Sequence, residues 1–179
     1  MKKAIYLLFL PLVVVSGIVF ANRQIKTETP AKSTPKAVSA AEKDAARKAW
    51  EATPDGIKYK EWEASPAGGN VFAGVAKIRK QVIAFSNMEA VVTSLSLPPG
   101  SQLGFGVMAS IDGVDYIVNF DAQKSQLALL KSLKVNDKII IKSHNVSVAP
   151  KYAYPIVSGD YVEKDSKVIF KRIPRKDGC

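Results

Sequence analysis

The sequence is poor in cysteine and histidine, two side chains that often supply metal ligands and nucleophilic chemistry. Its 179 residues include one cysteine, Cys179 at the last position, and one histidine, His144. A single cysteine excludes an intramolecular disulfide and a cysteine-rich zinc site, and its terminal position makes it a poor nucleophile. A single histidine excludes most metal sites. His144 is the one candidate for a histidine base or metal ligand. The alternative is that His144 is a surface or barrel-rim residue with no chemical role.

Other catalytic signatures are missing as well. No serine stands in a G-x-S-x-G setting, which a nucleophile elbow requires. Asp137, Asp160 and Asp165 are scattered at predicted turns, where aspartate is common for backbone reasons alone. Glu61 and Glu63 lie in a segment of alternating charge, which is typical of a solvated face rather than an acid/base pair. The sequence therefore predicts a protein that is not an enzyme and that uses no cofactor and no metal.

The composition is that of a folded protein of about one domain. Hydrophobic residues make up 47% of the chain and charged residues 23%, so the chain can form a packed core. The formal net charge is +10, from 26 Lys and Arg against 16 Asp and Glu. Residues 22–48 hold seven basic and three acidic residues, whereas residues 49–179 hold 17 and 13. The domain itself is therefore only mildly basic. The charge concentrates in the linker and in Lys171, Arg172, Arg175 and Lys176, so it does not predict a dense nucleic-acid-binding patch on the domain.

The N-terminus has the pattern of an export signal. Lys2 and Lys3 precede 18 uncharged residues, 4–21. This length falls between the apolar region of a signal peptide and a membrane span, so the run predicts either a signal peptide cleaved after Ala21 or a retained membrane anchor. The lack of a nearby cysteine excludes a lipoprotein anchor. In both cases the rest of the chain is expected outside the cytoplasm, in the periplasm or cell envelope of a bacterium.

A linker and a helical region follow. Residues 22–40, with two prolines and no hydrophobic periodicity, predict a flexible linker. Residues 41–86 predict a helical N-terminal extension. In it, a helix over 40–52 stops at a turn over 53–56, residues 57–70 are irregular, and apolar residues over 71–85 have helical spacing. No internal repeat is expected.

The pattern changes to strands in the predicted domain of residues 87–179. Strands are expected over 89–97, 104–111 and 114–120, with Asp112-Gly113 as a two-residue hairpin turn. A helix capped by Asp121 is expected over 121–133. A long strand bent near His144 follows over 138–148, and a last strand over 166–172. The segment 149–165 is long for a hairpin loop and leaves room for an additional strand.

This order resembles an OB-fold domain over residues 89–172. The resemblance rests on the three-stranded meander, the helix between the third and fourth strands, and the sequence LKVNDKIIIK entering the fourth strand. It implies a mainly β fold with flanking helices, built as a five-stranded antiparallel barrel that binds ligands on strands 2 and 3. The alternative is an open α+β antiparallel sheet with its helix packed on one side. The helix over 71–85 is expected either across the bottom of the barrel or over its binding face.

The resemblance implies a binding surface of aromatic and basic side chains on strands 2 and 3 and on the loop between strands 4 and 5. The leading hypothesis is a non-enzymatic envelope module that binds a protein partner or an anionic polymer there. The alternatives are single-stranded nucleic-acid binding, which export disfavours, and a small hydrolase that uses His144. Membrane association is possible through residues 4–21. The candidate ligand-binding residues are Phe105, Tyr116, Lys142, His144, Lys151, Tyr152 and Tyr154.

Overall fold

The computed structural model describes residues 39–174. The predicted export signal, its cleavage after Ala21 and nearly all of the linker lie outside these residues, as does Cys179. The described part of the chain contains four helices and eight strands. None of these helices is long and apolar enough to cross a membrane.

In the described residues, three helices precede the sheet. They are α1 (Ala40–Glu51), α2 (Pro54–Ala64) and α3 (Pro66–Ile83). The helices expected over 40–52 and 71–85 are confirmed, but the irregular segment expected over 57–70 is wrong. Thr53 and Ser65 each cap a helix with their hydroxyl oxygen, and a proline follows each cap. Proline in the first turn starts a helix because its missing N–H is not needed there.

The corners between these helices are built from an internal repeat, so the expectation that the sequence has none is wrong. Residues 50–56 read WEATPDG and residues 62–68 read WEASPAG, twelve positions apart. The Thr53 hydroxyl donates to the carbonyl of Trp50, and the Ser65 hydroxyl donates to the carbonyl of Trp62, each at 2.6 Å. The two cap residues have nearly the same backbone angles, with φ −75° and −76°.

Both corners require a glycine for the same steric reason. A Cβ atom at Gly56 would lie 2.2 Å from the Trp50 carbonyl oxygen, and one at Gly68 would lie 2.1 Å from that of Trp62. The repeat therefore produces the same backbone corner twice, with a tryptophan at each.

The eight strands form one mixed sheet that does not close into a barrel. Their order is β5-β6-β3-β2-β1-β4-β7-β8, and within the described chain the pairing of β3 with β6 is parallel while the others are antiparallel. The architecture is α+β. The expected five-stranded antiparallel barrel is wrong in its closure and in its wholly antiparallel pairing, and the open-sheet alternative fits in part. The strand bounds are β1 Met88–Ser94, β2 Gly106–Ile111, β3 Val114–Asn119, β4 Lys138–Lys142, β5 Val146–Ser147, β6 Ile156–Ser158, β7 Tyr161–Lys164 and β8 Lys167–Lys171.

The predicted turn between β2 and β3 is confirmed. Asp112 and Gly113 both have positive φ, at 50° and 73°, as a type I′ hairpin turn requires. The segment 149–165 contains β6 and all of β7, so the additional strand expected there is also present.

The helix expected over 121–133 is mostly wrong. Only α4 (Leu127–Leu130) is helical, and Gln126 stands at its N-cap. The Asp121 carboxylate instead lies 3.9 Å from Nε of Arg172, an ion pair with a residue distant in sequence that local propensity does not reveal.

The long strand expected over 138–148 is confirmed in part: β4 and β5 lie at its two ends, and residues 143–145 interrupt it at the expected bend. Lys142 pairs with Tyr161 on one side of this interruption, and Val146 pairs with Val157 on the other. Each strand advances four residues between these pairs, so the register is kept. Strands β4 and β5 together therefore face β6 and β7 as one bent hairpin.

Two hydrophobic clusters hold the sheet together. The larger one, here called the inner core, joins the inward side chains of most strands to Ile78 and Val82 of α3 and to Leu130 of α4. The smaller one lies on the opposite surface of β2 and β3, around Met108 and Ile117. The central strands β2 and β3 are therefore covered on both of their surfaces.

Candidate functional site

The outward surface of β2 and β3, where the OB resemblance places ligand binding, is covered by the chain's own loops. Met108 and Ile117 pair across the two strands and are both buried. Tyr152, from the loop over 148–155, packs on them together with Leu97 and Leu103 from the loop over 95–105. The Tyr152 hydroxyl lies 3.3 Å from the Ser101 hydroxyl, which links the two loops. We call this surface the covered face.

Helix α3 packs elsewhere. Its residues Ile78 and Val82 belong to the inner core, and the hydroxyl of Tyr116 donates to the Gly74 carbonyl at 2.8 Å. Burial raises the pKa of Tyr116 to about 12, with a smaller contribution from the charge of Asp112. The helix was expected either across the bottom of the barrel or over its binding face. The structure excludes the second position, because α3 does not cover Met108 and Ile117.

Most of the aromatic candidates predicted from the sequence are packing residues. Tyr116 is fully buried and offers no surface to a ligand. Phe105 is partly buried against the inner core, with its ring centre 6.1 Å from that of Phe120. Tyr152 and Tyr154 belong to the cover over β2 and β3. In the sequence, Phe105 and Tyr116 follow the alternating pattern of a core as well as that of a binding surface.

The predicted basic candidates do not form one patch. Nζ of Lys151 lies 4.8 Å from the ring centre of Tyr152, so this pair borders the covered face. Nζ of Lys142 lies 5.3 Å from the ring centre of Tyr161, on the strands β4 and β7. Each cation is therefore stacked on a neighbouring aromatic ring.

His144 lies at the interruption between β4 and β5, beside a buried carboxylate. The side chain of Asp160 is 8% exposed and that of His144 is 52% exposed. Asp160 Oδ2 accepts from the backbone N–H of His144 at 2.8 Å and contacts its ring Nδ1. Nη1 of Arg172 lies 3.5 Å from Asp160 Oδ1 and 3.5 Å from Nε2 of His144. The Asp160 carboxylate thus accepts a backbone hydrogen bond at the bend, where the pairing of the strands is interrupted, and this contact fixes the bend.

This arrangement gives His144 the acidic neighbour that a histidine base requires, but it occupies both ring nitrogens. Because Nδ1 faces a carboxylate, we assign the ring proton to it, which leaves the Nε2 lone pair directed at a guanidinium. A general base needs that lone pair for its substrate. The recess beside His144 measures about 100 Å³, well below the roughly 300–1,000 Å³ of ligand sites. The cluster is therefore suited to fixing the strand bend.

The outward surface of β1, β4 and β7 is open and concave. Glu89 and Val91 of β1 lie beside Ile140 and Lys138 of β4, and Ile140 lies beside Glu163 of β7. These side chains line a cleft of about 590 Å³, which is within the range of ligand sites. We call this surface the open face.

The cleft of the open face is acidic although the protein is basic. One lysine, Lys138, and four acidic side chains line it. Sequence reasoning missed this site because it followed the OB resemblance to strands 2 and 3. No local signal marks this site, because the exposure of Val91 and Ile140 follows from the fold and not from an alternation of polar and apolar residues in the sequence. The acidic residues are Glu89, Asp112, Glu163 and Asp165.

Within residues 39–174, no group of three or more His, Cys, Asp and Glu side chains is arranged to hold a metal ion. Comparison of the chain with family models, curated proteins and solved structures gave no significant match.

Proposed function

We propose that this chain is a non-enzymatic interaction module, exported to the bacterial cell envelope, that binds a basic segment of a protein partner in the cleft of the open face. One observation carries the proposal: the acidic surface of β1, β4 and β7 is open, whereas the chain's own loops cover the surface of β2 and β3.

The charge of the cleft favours a cationic ligand over an anionic polymer. Four carboxylates against one lysine attract basic side chains locally, although the whole chain carries a net charge of +10. Val91 and Ile140 provide an apolar floor between the carboxylates. Lys and Arg side chains suit such a site because their methylene stems pack on apolar atoms while their charged ends reach acidic groups.

The proposal includes an OB-like architecture for the sheet. Strands β4, β1, β2 and β3 lie side by side in that order, which is the order of a Greek key. Because β4–β5 and β6–β7 keep one register across their bends, the eight strands can be described as five bent strands and the edge strand β8. A partly open, five-stranded Greek key is the description of an OB fold.

The alternative functions have less support. A single-stranded nucleic acid would need stacking rings on the face of β2 and β3, where Met108 and Ile117 are buried beneath Tyr152. A hydrolase would need His144 Nε2, which faces Arg172.

Export rests on residues 1–21, and the mass of the protein isolated from cells tests it. A chain that begins at Asn22 supports cleavage, one that begins at Met1 supports an anchor, and recovery in the cytoplasm contradicts both.

The proposed cleft is tested by fluorescence anisotropy of the full-length chain with labelled oligolysine and oligoglutamate peptides. We expect oligolysine to bind and oligoglutamate not to bind, with an affinity that falls as salt is added. The double variant Glu89→Gln/Glu163→Gln should weaken oligolysine binding about tenfold, because it removes two of the charges that face the ligand.

Glu61→Gln is the matched control, since Glu61 is exposed on α2 and does not line the cleft. An equal loss of affinity in the control and in the double variant would contradict the proposal. Tighter binding of oligoglutamate than of oligolysine would contradict it as well.

A further inference from the structure

A second surface, at the edge strand β8, is lined mostly by apolar side chains, whereas the cleft of the open face is acidic. A groove of about 480 Å³ runs between α4 and β8. Leu129, Val168 and Ile173 line it and are 44%, 46% and 50% exposed. The groove shares no lining residue with the cleft of the open face. It therefore forms a separate surface, which we call the edge groove.

The backbone of β8 is available along the edge groove. In the described sheet β8 is the last strand, and it pairs with β7 alone. Nε2 of Gln126 donates to the Lys171 carbonyl at 2.7 Å, so a side chain covers the C-terminal end of the edge. An edge strand with unpaired backbone groups can add a strand from another chain.

The charges at the two ends of β8 identify the partner strand. Lys167 and Lys171 are exposed at the first and last positions of the strand. A second copy of β8 added antiparallel would place Lys167 of one copy opposite Lys171 of the other, and like charges in that position destabilise a strand pair. A strand with acidic ends would instead place opposite charges at both positions.

From this combination we infer that the edge groove binds an extended segment of a protein partner by strand addition to β8. The apolar side chains of that segment lie against Leu129, Val168 and Ile173, and its acidic residues face Lys167 and Lys171. This site differs in ligand charge from the proposed cleft, so either site can exist without the other.

The test uses the full-length chain carrying Glu89→Gln/Glu163→Gln, which weakens the acidic cleft for the Lys-ended peptide, and two fluorescein-labelled peptides of alternating Val and Thr, one with Asp at both ends and one with Lys at both ends. We expect the Asp-ended peptide to bind at least about tenfold more tightly than the Lys-ended peptide. Val168→Asp should weaken that binding about tenfold or more by placing a charge in the groove. Lys167→Glu/Lys171→Glu should reverse the preference between the two peptides.

Val135→Asp is the matched control, because Val135 is 49% exposed before β4 and lines neither the cleft nor the edge groove. It should leave the binding of the Asp-ended peptide unchanged. Circular dichroism of each variant confirms that the fold is retained, and the charge-reversal pair, which alters two exposed residues, provides a second measurement if Val168→Asp unfolds.

Four results would overturn the inference. They are no binding of either peptide, equal binding of both, a dimer in sedimentation velocity that Val168→Asp dissociates, and a tenfold gain in peptide affinity when residues 175–179 are removed. The dimer would assign the edge groove to a second copy of the chain, and the gain on truncation would assign it to the chain's own C-terminus.

Discussion

The covered face and the open face belong to the same sheet but differ in what lies over them. On the covered face, Met108 and Ile117 are buried beneath two loops. On the open face, Val91 and Ile140 lie in a cleft among carboxylates. Both pairs are apolar side chains on paired strands, so strand sequence alone does not account for the difference.

The connections between strands account for it. The loops over 95–105 and 148–155 are long, and both fold back over β2 and β3. The two-residue turns Asp112-Gly113 and Asp165-Ser166 are too short to cover a surface, and both lie beside the open cleft. Loop length therefore decides which surface of this sheet is available for binding.

The largest expected effect compares the same substitution on the two faces. Ile117→Ala should lower the free energy of unfolding by about 2–5 kcal/mol, because it leaves a cavity beneath the loops. Ile140→Ala, at a half-buried position on the open face, should lower it by about 1 kcal/mol or less. Chemical denaturation of both variants measures the difference. Equal losses would show that the two faces are packed alike.

A smaller effect is expected on the inward surface of β3, where Tyr116 lies beside Ile117. Tyr116→Phe removes the hydrogen bond to the Gly74 carbonyl and should lower the free energy of unfolding by about 1 kcal/mol at neutral pH. It tests how much of the stability of β3 comes from α3 rather than from the loop cover.

The same variant should change the alkaline stability. The pKa of Tyr116 is raised to about 12, so the folded state favours the neutral phenol. That contribution is fully present below about pH 10, the ordinary tyrosine pKa, and is lost as the pH rises towards 12. Urea denaturation between neutral pH and pH 11 should show a weaker dependence in Tyr116→Phe than in the parent. An identical dependence would exclude this ionisation as its cause.

The smallest effect is expected at the margin of the open face, at the ion pair between Asp137 and Lys164. Lys164 Nζ donates to Asp137 Oδ2 at 2.6 Å, and the backbone N–H of Lys134 donates to the same oxygen at 2.8 Å. Asp137→Asn should lower the free energy of unfolding by about 1 kcal/mol or less at neutral pH, as for partly exposed ion pairs.

The effect of Asp137→Asn should depend on pH in one direction. The hydrogen bond from Lys164 lowers the pKa of Asp137, so its contribution is present above the ordinary aspartate pKa of about 4 and is lost as the pH falls through the lower folded value. Denaturation of the parent and the variant should therefore converge in acid. A difference that persists or grows in acid would contradict this origin.

Local patterns predicted the turn at Asp112-Gly113 and the bend at His144, because both depend on a few neighbouring residues. The N-caps at Thr53 and Ser65 could also have been predicted, since proline and glycine after a serine or threonine can begin a helix as well as end one. The expected helix over 121–133 is mostly wrong, since only Leu127–Leu130 is helical, and the contact of Asp121 with Arg172 is a long-range one that local propensity does not reveal.

The candidate site was less predictable than the fold. Tyr116, Tyr152 and Tyr154 carry the aromatic signal of a ligand surface, but their burial depends on contacts across the sheet. The acidity of the open cleft arises when Glu89, Asp112 and Glu163, distant in sequence, reach neighbouring strands and turns. Nothing local in the sequence states that the loops cover one face and leave the other bare.

The unbroken register of the bent hairpin also bears on the order in which the sheet assembles. Val146 and Val157 are 11 positions apart along the chain, whereas Met88 and Ile141, which join β1 to β4, are 53 apart. Closing the shorter loop loses less chain entropy, so the hairpin of β4–β5 with β6–β7 can form before β1 joins it. Until β1 docks, β4 presents an unpaired edge. Because β1 precedes β4 in the chain, β1 has already been synthesised when β4 is made and is available to cover that edge.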